Sequence, residues 1–270
     1  MRKLLLLFAA LILWKCEKKE RKNSSQMTLS PKAITNVEEK SGAPTTLKKE
    51  VPVLCYHNFT EATNTIITLS RERFEEHIRS LVDSGYHGIL PDQLYDYLTA
   101  KATLPSKPVI ISFDDTRLAQ YTIAAPILER YGFRGVFFIM TICVNEPNYM
   151  SSVMINDLAS RGHIIGVHTY DHPSVSDIKA GEWTLQLKEP KIFVENAIHN
   201  DVNYFAYPYG QWTKEGIKHL KSNGYKAAFQ LEKKQSTTYP LYTIRRLMVQ
   251  GNWNAKKLQE KIAETFTVEN

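Results

Sequence analysis

Pro108-Val109-Ile110-Ile111-Ser112-Phe113-Asp114-Asp115-Thr116 is the stretch from which the rest of the chain can be read. Its apolar half is short, rich in β-branched residues and closed by two adjacent carboxylates, which predicts a buried strand delivering Asp114 and Asp115 to its C-terminal edge. Active sites of α/β sheets and barrels gather at that edge. Neighbouring carboxylates repel each other, and a fold tolerates them most easily when a cation neutralises one. An Asp-rich turn after an ordinary strand is the alternative.

Outward from this stretch, strand and helix patterns alternate. A first strand is expected over 51–57. A helix follows Ser70 as N-cap, with Phe74, Ile78, Leu81 and Val82 on its buried face and Gly85 as its stop. Further helices are expected over 92–99, up to Tyr131, and over 155–161, 182–199, 214–223 and 255–266, and further strands over 135–139, 164–167, 204–207, 226–230 and 242–249. Repeated units with near-continuously apolar strands imply a parallel sheet covered on both faces. About seven such units fit a distorted, incomplete (β/α) barrel better than an open sheet.

The strand 164–167 runs directly into His168-Thr169-Tyr170-Asp171-His172. A spacing of four lets two imidazoles converge on one ion from a single turn or a tight loop. With one Asp they make a two-nitrogen, one-oxygen set that leaves positions open, as in a catalytic rather than a structural zinc site. Surface neighbours or core histidines are the alternative for HxxxH alone. The pairing with Asp-Asp two strands earlier favours a shared site.

Lys and Arg number 34 against 28 Asp and Glu, a net charge of +6, but the first fifty residues hold 11 basic and 5 acidic side chains. The remainder is therefore balanced, and composition gives no support to a nucleic-acid surface. Met1-Arg2-Lys3 before the apolar run Leu4 to Leu13 has the length of a secretory core and is short for a membrane span. Residues 1–16 are expected to be an export signal, and Cys16 is either a lipid-bearing cysteine or incidental, since Lys15 is unusual before a lipidation site. Residues 17–50 read as a flexible basic linker and 51–270 as the folded domain. The expected location is the cell envelope, with membrane association through the signal or a lipid, and a monomer. Cys55 and Cys143 lack metal spacing and are expected as buried thiols.

Ser112-Phe113-Asp114-Asp115 and His168-Thr169-Tyr170-Asp171-His172 resemble the TFDD and H[S/T]xxH motifs of the polysaccharide deacetylases with a NodB-type domain, carbohydrate esterase family 4. Val53-Leu54-Cys55-Tyr56-His57 and Phe205-Ala206-Tyr207-Pro208-Tyr209-Gly210 resemble two further family segments, so that the match runs over roughly residues 51–255. The resemblance implies a distorted barrel, a divalent metal, usually zinc, and removal of acetyl groups from N-acetylated sugars of a polymer. Carried over by residue, it implies Asp115, His168 and His172 as metal ligands, Asp114 as general base, and the Tyr209 N–H as an oxyanion donor. Tyr207, Tyr209 and Trp212 are candidates to line the groove.

Three departures stand out. Thr116 replaces the usual Gly, and a β-branched residue tolerates positive φ poorly. Ala206 replaces an Arg that orients the base. This is similar to the poly-N-acetylglucosamine deacetylase branch, which makes Arg246, or failing it Arg245, the expected partner of Asp114. No Leu-x-His segment supplies the usual acid; His199 and His219 look unsuited, and His57 is left between a structural role and a substrate contact. The expected function is metal-dependent N-deacetylation of an N-acetylglucosamine-containing polysaccharide, exopolysaccharide or peptidoglycan. A catalytically weak polysaccharide-binding protein and an O-acetyl xylan-type esterase are the competing expectations.

Overall fold

The computed structural model describes residues 48–231 and 233–266. The expected signal 1–16, Cys16 and nearly all of the linker lie outside these residues. Strand β1 (Val53–Tyr56) comes first, then the short parallel pair β2 (Asn58–Thr60) and β3 (Thr68–Ser70), helix α1 (Arg71–Asp83), β4 (His87–Gly88), α2 (Pro91–Leu98) and β5 (Pro108–Phe113). A π-helical turn, Gln120–Ala124, runs into α3 (Ala125–Arg130), followed by β6 (Gly135–Ile139), α4 (Ser152–Ser160) and β7 (Ile164–Val167). A second, Thr184–Lys188, runs into α5 (Glu189–Ile198), followed by β8 (Tyr204–Ala206), α6 (Lys214–Ser222), β9 (Ala227–Phe229), β10 (Leu247–Met248) and α7 (Ala255–Phe266).

The long sheet is parallel throughout and runs β10, β1, β5, β6, β7, β8, β9, with β4 on the start of β5. One parallel bridge, Phe229 to Ile244, joins β9 to the segment that continues into β10, so the sheet curls into a distorted barrel with a thin seam. The expected strand 242–249 is therefore corrected. Pro240–Tyr242 form a 3-10 turn, Ile244 pairs with β9, and only Leu247–Met248 pair with β1. A three-residue passage between two neighbours leaves no length for a regular strand.

Strand alternation sorts the side chains into two cores. Val53, Ile110, Val136, Phe138, Tyr204, Ala206, Ala227, Phe229 and Ile244 fill the barrel, with Leu94 of α2 beneath them. The residues between them, including Leu54, Tyr56, Ile111, Phe113, Phe137, Val167 and Phe205, meet Phe74, Leu128, Leu158, Val194 and Leu258 of the surrounding helices. A sheet buried on both faces needs two apolar faces, which is why β5 and β6 read as unbroken apolar runs. Gly135 and Gly166 belong to this packing, since a Cβ would come within 2.8 Å of Phe113 and 2.5 Å of Phe138.

Ser70 caps α1 as expected, accepting from Arg73 N–H at 3.1 Å, and Ser151 and Thr213 cap α4 and α6 in the same way. On α1 the expectation for Val82 is corrected: it is exposed, and His77 is buried with Phe74, Ile78 and Leu81. The two π turns share one cause. Pro126 and Pro190 lack the N–H that an α-helix needs and crowd the preceding turn, and the N–H groups just before them, of Ala125 and Glu189, bond the carbonyls of Gln120 and Thr184 five residues back. Cys55 and Cys143 are buried free thiols, and among the described residues no helix is long and apolar enough to cross a membrane.

Candidate active site

Parity along the strands aims the chemistry. Ile110, Ser112 and Asp114 alternate on the lumen side of β5, so Asp114 points into the barrel mouth and is almost fully buried. Asp115 is the next residue and would face the helices, but its φ of +75° turns the chain and brings it back to the mouth. Thr116 follows at φ +61°, the left-handed conformation unfavourable to a β-branched residue. Its hydroxyl compensates by accepting the Met140 N–H at 2.8 Å, and its carbonyl accepts the Met150 N–H at 2.9 Å.

His168 follows β7 directly with the parity of Gly166 and enters the mouth fully buried. Its Nδ1 lies 2.8 Å from the Ala206 carbonyl, an acceptor that requires the proton on Nδ1 and leaves Nε2 as a lone pair. His172 is brought back by left-handed residues Thr169 and His172 at φ +65° and +68°, and the Thr169 hydroxyl accepts its N–H at 3.0 Å. The two imidazole Nε2 atoms lie 3.7 and 3.5 Å from Asp115 Oδ1. That oxygen is buried and has no hydrogen-bond partner.

These three donors fit a metal ion on their own geometry. Bonds of about 2.1 Å in a tetrahedron separate ligands by roughly 3.4 Å. A buried carboxylate oxygen facing two lone pairs is otherwise costly. Cys55, His57 and Asp114 also lie within reach of one another. That set fits a cation poorly, because both Asp114 oxygens are bonded to Arg246, and burial, only partly offset by Arg246, holds the Cys55 thiol protonated.

Arg246 donates to Asp114 Oδ1 and Oδ2 at 2.7 and 2.8 Å, and further to the Gln230 carbonyl at 3.2 Å. Its guanidinium stands 5.3 Å from the Phe138 ring centre. Burial alone would raise the Asp114 pKa, but the Arg246 charge overrides it and holds the carboxyl well below the usual range. Arg245, one residue away, faces out, pairing with Glu50 and covering the Phe266 ring.

His57 was not separable from a structural histidine by sequence. In the fold it follows the lumen parity of Val53 and Cys55, and its Nδ1 is buried without a hydrogen-bond partner beside Asp114. Gln120 on the first π turn secures this corner, its amide donating to the His57 carbonyl at 2.7 Å and to the Asp114 carbonyl. His219 stacks on Trp183 at 4.3 Å and pairs with Glu215, and His199 is the left-handed C-cap of α5.

The aromatic candidates separate. Tyr209 sits at φ +57° and is 61% exposed, with its ring edge-on to His172 at 4.7 Å. Trp212 is half-buried, donating to Gln230 at 2.9 Å. Tyr207 is corrected: it has the parity of Phe205, lies wholly in the helix-side core and donates to the Tyr242 carbonyl, so its ring cannot meet a sugar.

Comparison with known proteins agrees with this geometry. Residues 101–228 match the family model described as polysaccharide deacetylase. The poly-β-1,6-N-acetyl-D-glucosamine N-deacetylase of Staphylococcus aureus (strain MRSA252) is 28% identical over 184 residues, which are 63% of this chain and 63% of that protein, less than two thirds of its length. Among solved structures, IcaB from Ammonifex degensii matches with a TM-score of 0.68 and 25% identity over 82% of this chain and 98% of its own. The Streptococcus pyogenes deacetylase PplD, solved with acetate, matches with a TM-score of 0.73 over 83% of this chain and 100% of its own, and at 20% identity it speaks for the fold. Residues 101–228 are thus similar to polysaccharide deacetylases, and the barrel that holds them has the fold of a solved deacetylase.

Proposed function

We propose that this protein is a metal-dependent N-deacetylase of a polysaccharide containing N-acetylglucosamine, with an exopolysaccharide of the poly-N-acetylglucosamine type preferred over peptidoglycan. The observation that carries the reading is the convergence of His168 Nε2 and His172 Nε2 on the unpartnered Asp115 Oδ1, beside a second carboxylate held ionised by Arg246. The preference for the exopolysaccharide rests on the 28% identical staphylococcal relative and on an arginine that reaches the base from the last strand segment.

Asp115, His168 and His172 would hold the ion, and a nitrogen-rich donor set favours zinc. A divalent ion there supplies Lewis acidity toward the acetamide carbonyl and makes water acidic enough to attack at neutral pH. Asp114 accepts the proton of the attacking water, with Arg246 fixing the plane of its carboxylate and keeping it charged. The Tyr209 main chain offers an N–H to the developing oxyanion, a contribution typically worth about 3 kcal/mol. His57, whose buried and unpartnered Nδ1 lies beside Asp114, is the candidate to hand a proton to the departing amine. Tyr209 and Trp212 line the groove. The protein acts as a monomer, exported to the cell envelope and held there through residues 1–16 or a lipid on Cys16.

Acetate release from acetylated glucosamine oligomers by the full chain tests the reading. Activity that disappears with a chelator, returns with zinc and is lost in Asp114→Asn supports it. Binding of polymer with no acetate from any acetylated glycan, zinc present, would instead establish a binding protein.

A further inference from the structure

Between its two histidines the loop His168–His172 is held by a side chain that no motif points to. Gln186 lies on the second π turn, is buried, and faces the loop with both ends of its amide. Its Oε1 accepts the Tyr170 N–H at 3.1 Å, and its Nε2 donates to Asp171 Oδ1 at 2.7 Å. Only one orientation of the amide satisfies both partners, because an N–H needs the oxygen and a carboxylate needs the nitrogen. From the other side the Ile142 N–H reaches the Tyr170 carbonyl at 2.9 Å. The loop needs such restraint, since Thr169 and His172 both occupy the left-handed region, which is unfavourable for residues with a Cβ.

The π turn explains why Gln186 is available. A regular α-helix reaching Pro190 would require the missing N–H at the Gln186 carbonyl. The widened turn, closed instead by Glu189 N–H on the Thr184 carbonyl, is the segment that carries the Gln186 side chain to the loop.

We infer that Gln186 is a positioning residue that presets the His168–His172 spacing, so that the apo protein already holds both imidazoles toward Asp115 and binds its metal tightly. This rests on the reading of Asp115, His168 and His172 as metal ligands. Gln186 touches none of the reacting atoms. Its removal therefore lowers metal affinity while leaving the metal-saturated protein largely competent.

The test uses apo full-length protein, titrated with zinc against a chromophoric chelator and with cobalt followed by its visible absorption. Gln186→Met keeps the volume and loses both bonds. Asp171→Ala, at an exposed position, removes one bond without touching the core and decides the matter if Gln186→Met does not fold. Both variants are expected to bind zinc 10–100 times more weakly, with acetate release recovering when zinc is raised to saturation. Zinc affinities within twofold of wild type in the folded variants overturn the inference. A wild-type protein that binds neither zinc nor cobalt overturns the reading beneath it, a result distinct from any difference between variants.

Discussion

Arg246 and Asp114 form a bidentate ion pair, at 2.7 and 2.8 Å, in which neither side chain is appreciably exposed. A buried pair contributes little net stability against an apolar replacement, but removing one member strands the other's charge. Arg246→Met is therefore expected to destabilise the domain by about 3–5 kcal/mol. Asp114→Asn with Arg246→Met should be markedly more stable than Arg246→Met alone. Denaturant unfolding of the three proteins checks this, and a double variant no more stable than the single would refute the account of the pair.

The two histidines are held differently, and their replacement should have different costs. His168 is fully buried with its Nδ1 on the Ala206 carbonyl, whereas His172 is partly exposed and packs against Tyr209. His168→Ala leaves a buried carbonyl without its donor and a void, and should cost about 2–4 kcal/mol of stability. His172→Ala should stay within about 1 kcal/mol of wild type, as substitutions of partly exposed residues usually do. Both should lose zinc affinity. Thermal melts of the apo proteins, paired with zinc titration, separate the structural from the ligating contribution. Equal losses of stability would contradict the geometry.

Much of this was legible because the residues that bear it sit at strand ends with apolar runs before them. The strands 135–139 and 164–167 are found where the pattern places them, and Asp114, Asp115, His168 and His172 meet. What the pattern could not supply was parity. Tyr207 belongs to a strand end next to the groove, yet its neighbour Ala206 faces the mouth and Tyr207 faces the helices. The same two-residue period separates Arg246 from Arg245, and reading it along Ile244 and Arg246 would have chosen between them. Gln120 and Gln186 were out of reach, because their roles depend on π turns forced by prolines six and four residues later, a local geometry with no hydrophobic signature.

Thr116 tests how the strained turn after the carboxylates is maintained. Its φ of +61° is unfavourable, while its hydroxyl satisfies the Met140 N–H at 2.8 Å. Thr116→Gly removes the strain and the bond together, two opposed effects of about 1–2 kcal/mol each. It should therefore be nearly neutral. Thr116→Val retains the β-branched strain and loses the bond, so it should cost about 1–3 kcal/mol. Equilibrium unfolding of both variants makes the comparison, and a valine variant as stable as the glycine one would show that the hydroxyl does not hold this turn.

His77 gives a prediction about pH. It is buried on α1, with Nδ1 3.4 Å from the Tyr56 hydroxyl and Nε2 2.8 Å from the Trp253 carbonyl. Burial, only partly opposed by the Trp253 carbonyl and by Glu76, pushes its pKa down from 6.5 to about 4. In the unfolded chain the imidazole titrates near its ordinary value. Well above pH 6.5 neither state is protonated and stability does not depend on this group. As pH falls from about 6.5 toward 4 the unfolded chain takes up a proton that the native state refuses, so stability is lost across that window. His77→Gln keeps a polar side chain of similar length and cannot titrate. The stability difference between wild type and His77→Gln should therefore narrow by about 2 kcal/mol on going from pH 7 to pH 4.5. Carboxylates and His163 titrate in both proteins and cancel in the difference. Urea unfolding of the pair at the two pH values measures it, and a difference that stays constant would mean that His77 is protonated as readily in the native protein as in the unfolded chain.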